Sequence, residues 1–191
     1  SIDWSQSTLT NFSPLITREF EQQSAARVIV VADTSLSTRC GMGGVSIATM
    51  IARAVATLTL AGVYFQDHVG LITFDGRSQK MSVRPGIGKS HAAHCLDAYR
   101  DLVLGRTSHA LNGVNATLAD MLRKASMVPV VSDFLFEDYE QLLDELLDLN
   151  ATHDVFVLLI DSQHAFELPS ISAGWIEGID VETGQSRLIS S

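Results

Sequence analysis

Asp33-Thr34-Ser35-Leu36-Ser37 places one carboxylate and two hydroxyls on alternate residues, directly after the β-branched run from Arg27 to Ala32. All three are hard oxygen donors, which suit Mg²⁺, Mn²⁺ or Ca²⁺ rather than a soft metal. A second acid, Asp133, closes another apolar run, Val130-Val131-Ser132. Gly105-Arg106-Thr107 sets a further hydroxyl on a loop ahead of an amphipathic stretch. The plainer reading of the serines is a helix N-cap, where a hydroxyl oxygen accepts from an unsatisfied backbone N–H.

Other groupings carry less chemistry. Pro85-Gly86-Ile87-Gly88-Lys89-Ser90 copies the end of a phosphate-binding loop, but Val83 stands where GxxxxGK[ST] requires glycine. A turn capping the next helix is expected there. An aspartyl phosphatase nucleophile would want a second Asp where Ser35 stands. His91, His94 and Cys95, at i, i+3 and i+4, share one helical face and offer zinc three ligands with no evident fourth. An ordinary half-buried face is the simpler expectation. His109 follows Thr107 by two residues and is the available base should the site be hydrolytic. The acids Glu137, Asp138, Glu140, Asp144, Glu145 and Asp148 read as a solvated helix face.

The elements that must position these groups alternate. Short apolar runs predict strands over 27–33, 67–74, 79–83, 127–131 and 154–160. Helices are expected from about residue 45, over 90–103, over 109–125 from its i, i+3, i+4, i+7 rhythm, and over 137–149. Two further short strands within 175–189 join at 182–185. This order predicts an α/β fold: three layers, with a mainly parallel central sheet and helices on both faces. In such sheets ligands bind beyond the carboxyl ends of the strands, where both Asp33 and Asp133 fall. Residues 1–26 are a polar lead-in, and 27–191 form one domain ending in a hairpin.

Composition bounds the function. The chain has 191 residues, with 13 Lys and Arg against 22 Asp and Glu, for a net charge of -9. Nucleic-acid binders rely on clustered basic residues, so that class is set aside. Only 18% of residues are charged and 46% are hydrophobic, which opposes disorder and suits a sheet buried on both faces. Two cysteines without dense spacing point to reduced thiols inside a cell. Val45 to Phe65 is apolar enough for a membrane test, but Arg53 lies within it at an insertion cost of about 2.5–3.5 kcal/mol. A core helix is expected instead, with no direct membrane insertion by these residues. The chain opens on Ser1 with no signal-peptide pattern. The expectation is therefore a piece of a longer cytoplasmic protein, any tether to the inner membrane lying outside it.

The order DxSxS, Thr, Asp matches a metal-ion-dependent adhesion site, and here the sequence resembles the von Willebrand factor A fold. That resemblance implies that Asp33, Ser35, Ser37, Thr107 and Asp133 hold one divalent cation, Mg²⁺ or alternatively Mn²⁺ or Ca²⁺. Thr117 is the rival to Thr107. It further implies direct ligation by the hydroxyls, with both Asp residues acting through water and a partner's acidic side chain completing the octahedron. More narrowly, six segments occur in one order: Ile2-Asp3-Trp4, Asp33 to Ser37, Val69 to Phe74, Ser132-Asp133-Phe134, His153-Asp154-Val155 and Asp180 to Gly184. The set is similar to the bacterial family called domain of unknown function 58. Its members often neighbour MoxR-type AAA+ ATPases, which implies such an ATPase as protein partner. The chain departs from the family at Thr38, where Met is usual, and in the Gly-rich loop after it. Two function classes follow: a metal-dependent protein-interaction module, or a metal-dependent hydrolase or phosphoryl-transfer enzyme at the same site.

Overall fold

The computed structural model describes residues 4–11, 13, 25–76, 78–105, 121–122, 124–166, 175–180 and 184–190. Its centre is a five-stranded sheet. β1 (Arg27–Asp33) is the middle strand, flanked by β4 (His68–Asp75) and β6 (Met127–Ser132), with β5 (Ser78–Gly86) and β7 (Asp154–Leu159) at the edges. β4, β1, β6 and β7 run parallel, and β5 is antiparallel to β4. Residues Ile29 to Ala32 of β1 are fully buried, as expected of a strand covered on both faces.

Side chains of β1 alternate between two cores. Val28, Val30 and Ala32 pack with Ile47, Ile51 and Val55 of α2 (Ile47–Phe65) and with Cys95, Ala98 and Tyr99 of α3 (Lys89–Val103). Ile29 and Val31 pack on the other side with Leu142 and Leu146 of α4 (Tyr139–Asn150), and with Met121 and Leu122. Helices therefore cover both faces, giving the three-layer α/β architecture expected from the strand and helix alternation.

Among the described residues α2 is the one helix long and apolar enough to cross a membrane. It lies along the sheet and buries a single stripe, Ile47, Ala48, Ile51, Val55, Thr59 and Gly62. Gly62 allows the close approach: a Cβ there would stand 2.1 Å from Val69 Cγ2. Of the acids of α4, Glu140, Asp144 and Asp148 are exposed and Glu145 is half-buried, while Leu142 and Leu146 are buried.

Two local outcomes differ from the sequence reading. The loop 34–44 contains a 3₁₀ turn (Leu36–Arg39) and a tight hairpin, β2 (Gly41–Met42) with β3 (Val45–Ser46), before α2 begins at Ile47. β5 is longer than expected because it zips antiparallel along β4 with two register shifts and takes Pro85-Gly86 into its end. The helix expected over 109–125 lies outside the described residues, except for the buried pair Met121 and Leu122. A short helix, α1 (Trp4–Leu9), lies in the lead-in, and the expected C-terminal hairpin forms from β8 (Trp175–Ile179) and β9 (Ser186–Ser190).

Candidate functional site

Parallel pairing brings the carboxyl ends of β1 and β6 side by side. Ala32 stands opposite Val131, so the next residues on each strand, Asp33 and Ser132, are neighbours. The Ser132 hydroxyl donates a short hydrogen bond to Asp33 Oδ2. Asp33 Oδ1 accepts from the Ser35 N–H at 2.8 Å, which folds the DxSxS segment back over its own carboxylate. Tyr99, from α3, donates its phenolic O–H to the Asp33 carbonyl at 3.0 Å.

The serines are not helix caps. Ser35 precedes the 3₁₀ turn but makes no side-chain cap bond. Its hydroxyl instead lies 3.0 Å from the Ser37 hydroxyl, and both residues are buried, at 0% and 3% exposure. The capping role belongs to Ser46, whose Oγ accepts from the Thr49 N–H at the start of α2. Thr38, at the family's usual Met position, is buried and donates its hydroxyl to the Ser35 carbonyl at 2.7 Å. It pins the turn that presents the two serines.

Asp133 comes from the next strand end and is also buried. Its Oδ1 accepts from the Leu135 N–H at 3.3 Å, and Phe134 between them sits in the left-handed region at φ 54. An aromatic residue there is a conformational outlier, a cost that has to be balanced by other contacts. Here the Phe134 N–H donates to the Ser132 hydroxyl at 2.8 Å, and its ring packs on Phe136. One hydroxyl, Ser132, thus ties both acidic loops together.

The electrostatics are those of crowded negative charge. Burial pushes the Asp33 carboxyl up from 3.8 to about 6, opposed by donors from Ser132 and Ser35 and reinforced by the Asp133 charge. Among the described residues, no basic side chain is one of those influences. Tyr99 is pushed up well above the ordinary phenol value by burial and by the charges of Asp33 and Asp133. Two carboxylates buried side by side are unfavourable, and a divalent cation is one group that would offset them.

The donor set fits such an ion. With Mg–O bonds of about 2.1 Å, cis oxygens of an octahedron stand about 3.0 Å apart. That is the spacing of the Ser35 and Ser37 hydroxyls. Two serine hydroxyls and two carboxylates on one sheet edge are hard ligands throughout. Thr107, its rival Thr117 and the base candidate His109 all lie outside the described residues. Ser132 and Tyr99 escaped sequence analysis as site residues. A buried tyrosine O–H needs a partner, so Tyr99 on the apolar face of α3 carried a signal, but not its target.

The His91, His94, Cys95 grouping does something else. His91 Nε2 lies 2.8 Å from the Val69 carbonyl oxygen, joining α3 to β4. Cys95 is buried, and burial pushes its thiol up to about 11. Among the described residues, no three His, Cys, Asp or Glu side chains are grouped to hold a metal. The segment resembling a phosphate-binding loop closes β5 and supplies Gly88, at φ 95, as the N-cap of α3. Gly88 thus precedes the next helix as expected, but Pro85-Gly86 belong to β5 rather than to a turn.

A crystal structure titled as an aerotolerance-related membrane protein from Bacteroides fragilis NCTC 9343, with multiple mutations to serines, is similar at a TM-score of 0.55. The identity is 16%, and the match covers 87% of this chain and 82% of that one. Pilus adhesin SpaC from Lactobacillus rhamnosus GG is similar at 18% identity over 57% of this chain and 15% of its own, with a TM-score of 0.41. No curated protein matches the chain significantly. The first likeness supports the fold alone, a three-layer α/β architecture. The model described as "Protein of unknown function DUF58" matches residues 1–191, and the chain belongs to that family.

Proposed function

We propose that the protein is a metal-dependent interaction module that binds an acidic side chain of a protein partner through a divalent cation. The supporting observation is the hydroxyl pair of Ser35 and Ser37, 3.0 Å apart, beside the buried carboxylates of Asp33 and Asp133. In this reading Ser35, Ser37 and Thr107 (or Thr117) ligate the ion directly, and Asp33 and Asp133 hold its waters. The cation is Mg²⁺ or, alternatively, Mn²⁺ or Ca²⁺. Two carboxylates leave it short of a full set of charged oxygens, so an incoming carboxylate supplies both ligand and charge.

The partner we favour is a MoxR-type AAA+ ATPase, on the strength of the family resemblance, with the interaction taking place in the cytoplasm. The test is capture of partners from a bacterial lysate by wild type and by Asp33→Ala, with Mg²⁺ and with EDTA. Capture of the ATPase should depend on Mg²⁺ and disappear in the variant. Capture that ignores both chelator and substitution overturns the metal-bridged mechanism. Divalent-dependent turnover of a generic phosphate ester by wild type would replace it with the hydrolase reading.

A further inference from the structure

Next to the candidate cation site, the β2–β3 hairpin overhangs a cleft of about 310 Å³. Its walls include Val45, Ile47 and Met50 from the hairpin and the start of α2, with Ile160 and Ala165 from the segment after β7. Ile160 and Ala165 pack onto the core around α2, so the floor is fixed. Among the described residues, one charged side chain lines the cleft: Asp161. Its Oδ1 accepts from the Gln163 N–H at 3.0 Å, which holds the carboxylate at the exposed rim.

The position is set by the same register that builds the cation site. The Ile160 N–H donates to the Ser132 carbonyl at 2.9 Å, and Leu159 stands opposite Ser132. Asp33 ends β1, Asp133 follows β6 by one residue and Asp161 follows β7 by two, on three adjacent strands. Across the hairpin lies a second cleft of about 220 Å³ that shares Gly41, Val45 and Ser46 but is lined by Arg39. The two clefts thus present opposite charges on either side of one wall.

We infer that the Asp161 cleft is a socket for a long basic side chain, Lys or Arg, of a binding partner. Its apolar walls suit the methylene stem, and Asp161 at the rim meets the cationic head, as long amphipathic side chains require. A purely apolar side chain would leave the carboxylate unused, and an acidic one would be repelled by it. That the socket serves the same partner as the cation site rests on the metal-bridged reading. The socket itself does not, so it is tested without metal.

The test is an amide NMR titration of the ¹⁵N-labelled protein in EDTA with n-hexylammonium, and in parallel with hexan-1-ol and hexanoate. Hexylammonium should shift Gly41, Gly43, Ile160 and Asp161 saturably, and bind more tightly than the two other probes. Asp161→Asn keeps the acceptor for Gln163 and should weaken hexylammonium about three- to fivefold, the scale of an exposed ion pair. Val45→Trp should fill the cleft and abolish the shifts, with the rest of the spectrum reporting that the fold is intact. Absence of saturable shifts overturns the socket. So does equal binding of hexan-1-ol or hexanoate, or an Asp161→Asn variant that binds as well as wild type. Failure of the lysate capture alone leaves this result standing, and the reverse also holds.

Discussion

Two groups of chemistry-bearing side chains, one at the carboxyl edge of the sheet and one on α3, make contacts of different kinds. At the carboxyl edge, Asp33, Ser35, Ser37 and Ser132 converge from two strand ends and hydrogen-bond to one another, with Asp133 following Ser132. On α3, His91 and Cys95 share a face as their spacing requires, but His91 contacts a backbone carbonyl and Cys95 faces the core. A helix lying on a sheet turns its polar face groups toward backbone that needs partners. Strand ends in a parallel sheet instead open onto loops, where several side chains reach one point. The first arrangement ties layers together, and the second gathers buried acids and hydroxyls at one point.

The largest expected effect separates the two by pH. The folded Asp33 binds its proton more tightly than the unfolded chain does, with a pKa of about 6 against 3.8. Its contribution to stability is therefore complete below pH 3.8 and is lost as pH rises through about 6. Metal-free protein should lose up to about 3 kcal/mol between those limits from this group. Asp33→Asn should flatten that slope and, at pH 7.5 in EDTA, be more stable than wild type. Denaturant melts at pH 5 and pH 7.5 check it; a variant less stable than wild type at both would mean that the carboxylate serves the fold.

Nearly as large is the response to metal. At a concentration one-hundredfold above its dissociation constant, Mg²⁺ should stabilise wild type by about 2.7 kcal/mol at pH 7.5. The gain should shrink below pH 6, where the ion competes with a proton, and vanish in Asp33→Ala. Thermal melts with millimolar Mg²⁺ or Mn²⁺ read this directly, and an unmoved midpoint removes the cation site. A smaller change is expected on α3. His91→Ala should cost about 1 kcal/mol through the lost bond to Val69, while leaving the Mg²⁺ response untouched. If His91→Ala instead altered that response, the two regions would be coupled and the contrast between them would fail. Smallest in energy is the thiol test: half-buried Cys40 should alkylate first, and Cys95 only as fast as the protein unfolds. Mass spectrometry after a timed iodoacetamide pulse distinguishes them.

Much of this was readable from residues in order. The strands β1, β4, β6 and β7 lie within a residue or two of their apolar runs; such runs suit strands buried on both faces, as β1, β4 and β6 are, while β7 at the edge stays largely exposed. Asp33 and Asp133 were legible as chemistry because an acid ending such a run sits at the ligand-binding edge. The β2–β3 hairpin was not legible. Its strands are two residues long and glycine-rich, so no hydrophobic period marks them. The direction of β5 was equally hidden, because antiparallel pairing with β4 depends on the short turn at Gly76 rather than on strand composition.

The sequence by itself determined the layer order, the buried central strand and the identity of the oxygen donors. These follow from local periodicity and from residue chemistry. Tertiary structure alone decided that Ser35 and Ser37 face each other instead of capping a helix, and that Ser132 bridges both acidic loops. It also decided that Tyr99 closes on the Asp33 carbonyl from 66 residues away. The physical reason is register. Parallel pairing of Ala32 with Val131 brings Asp33 beside Ser132, 99 residues apart in the chain. No local pattern encodes which strand ends will be neighbours.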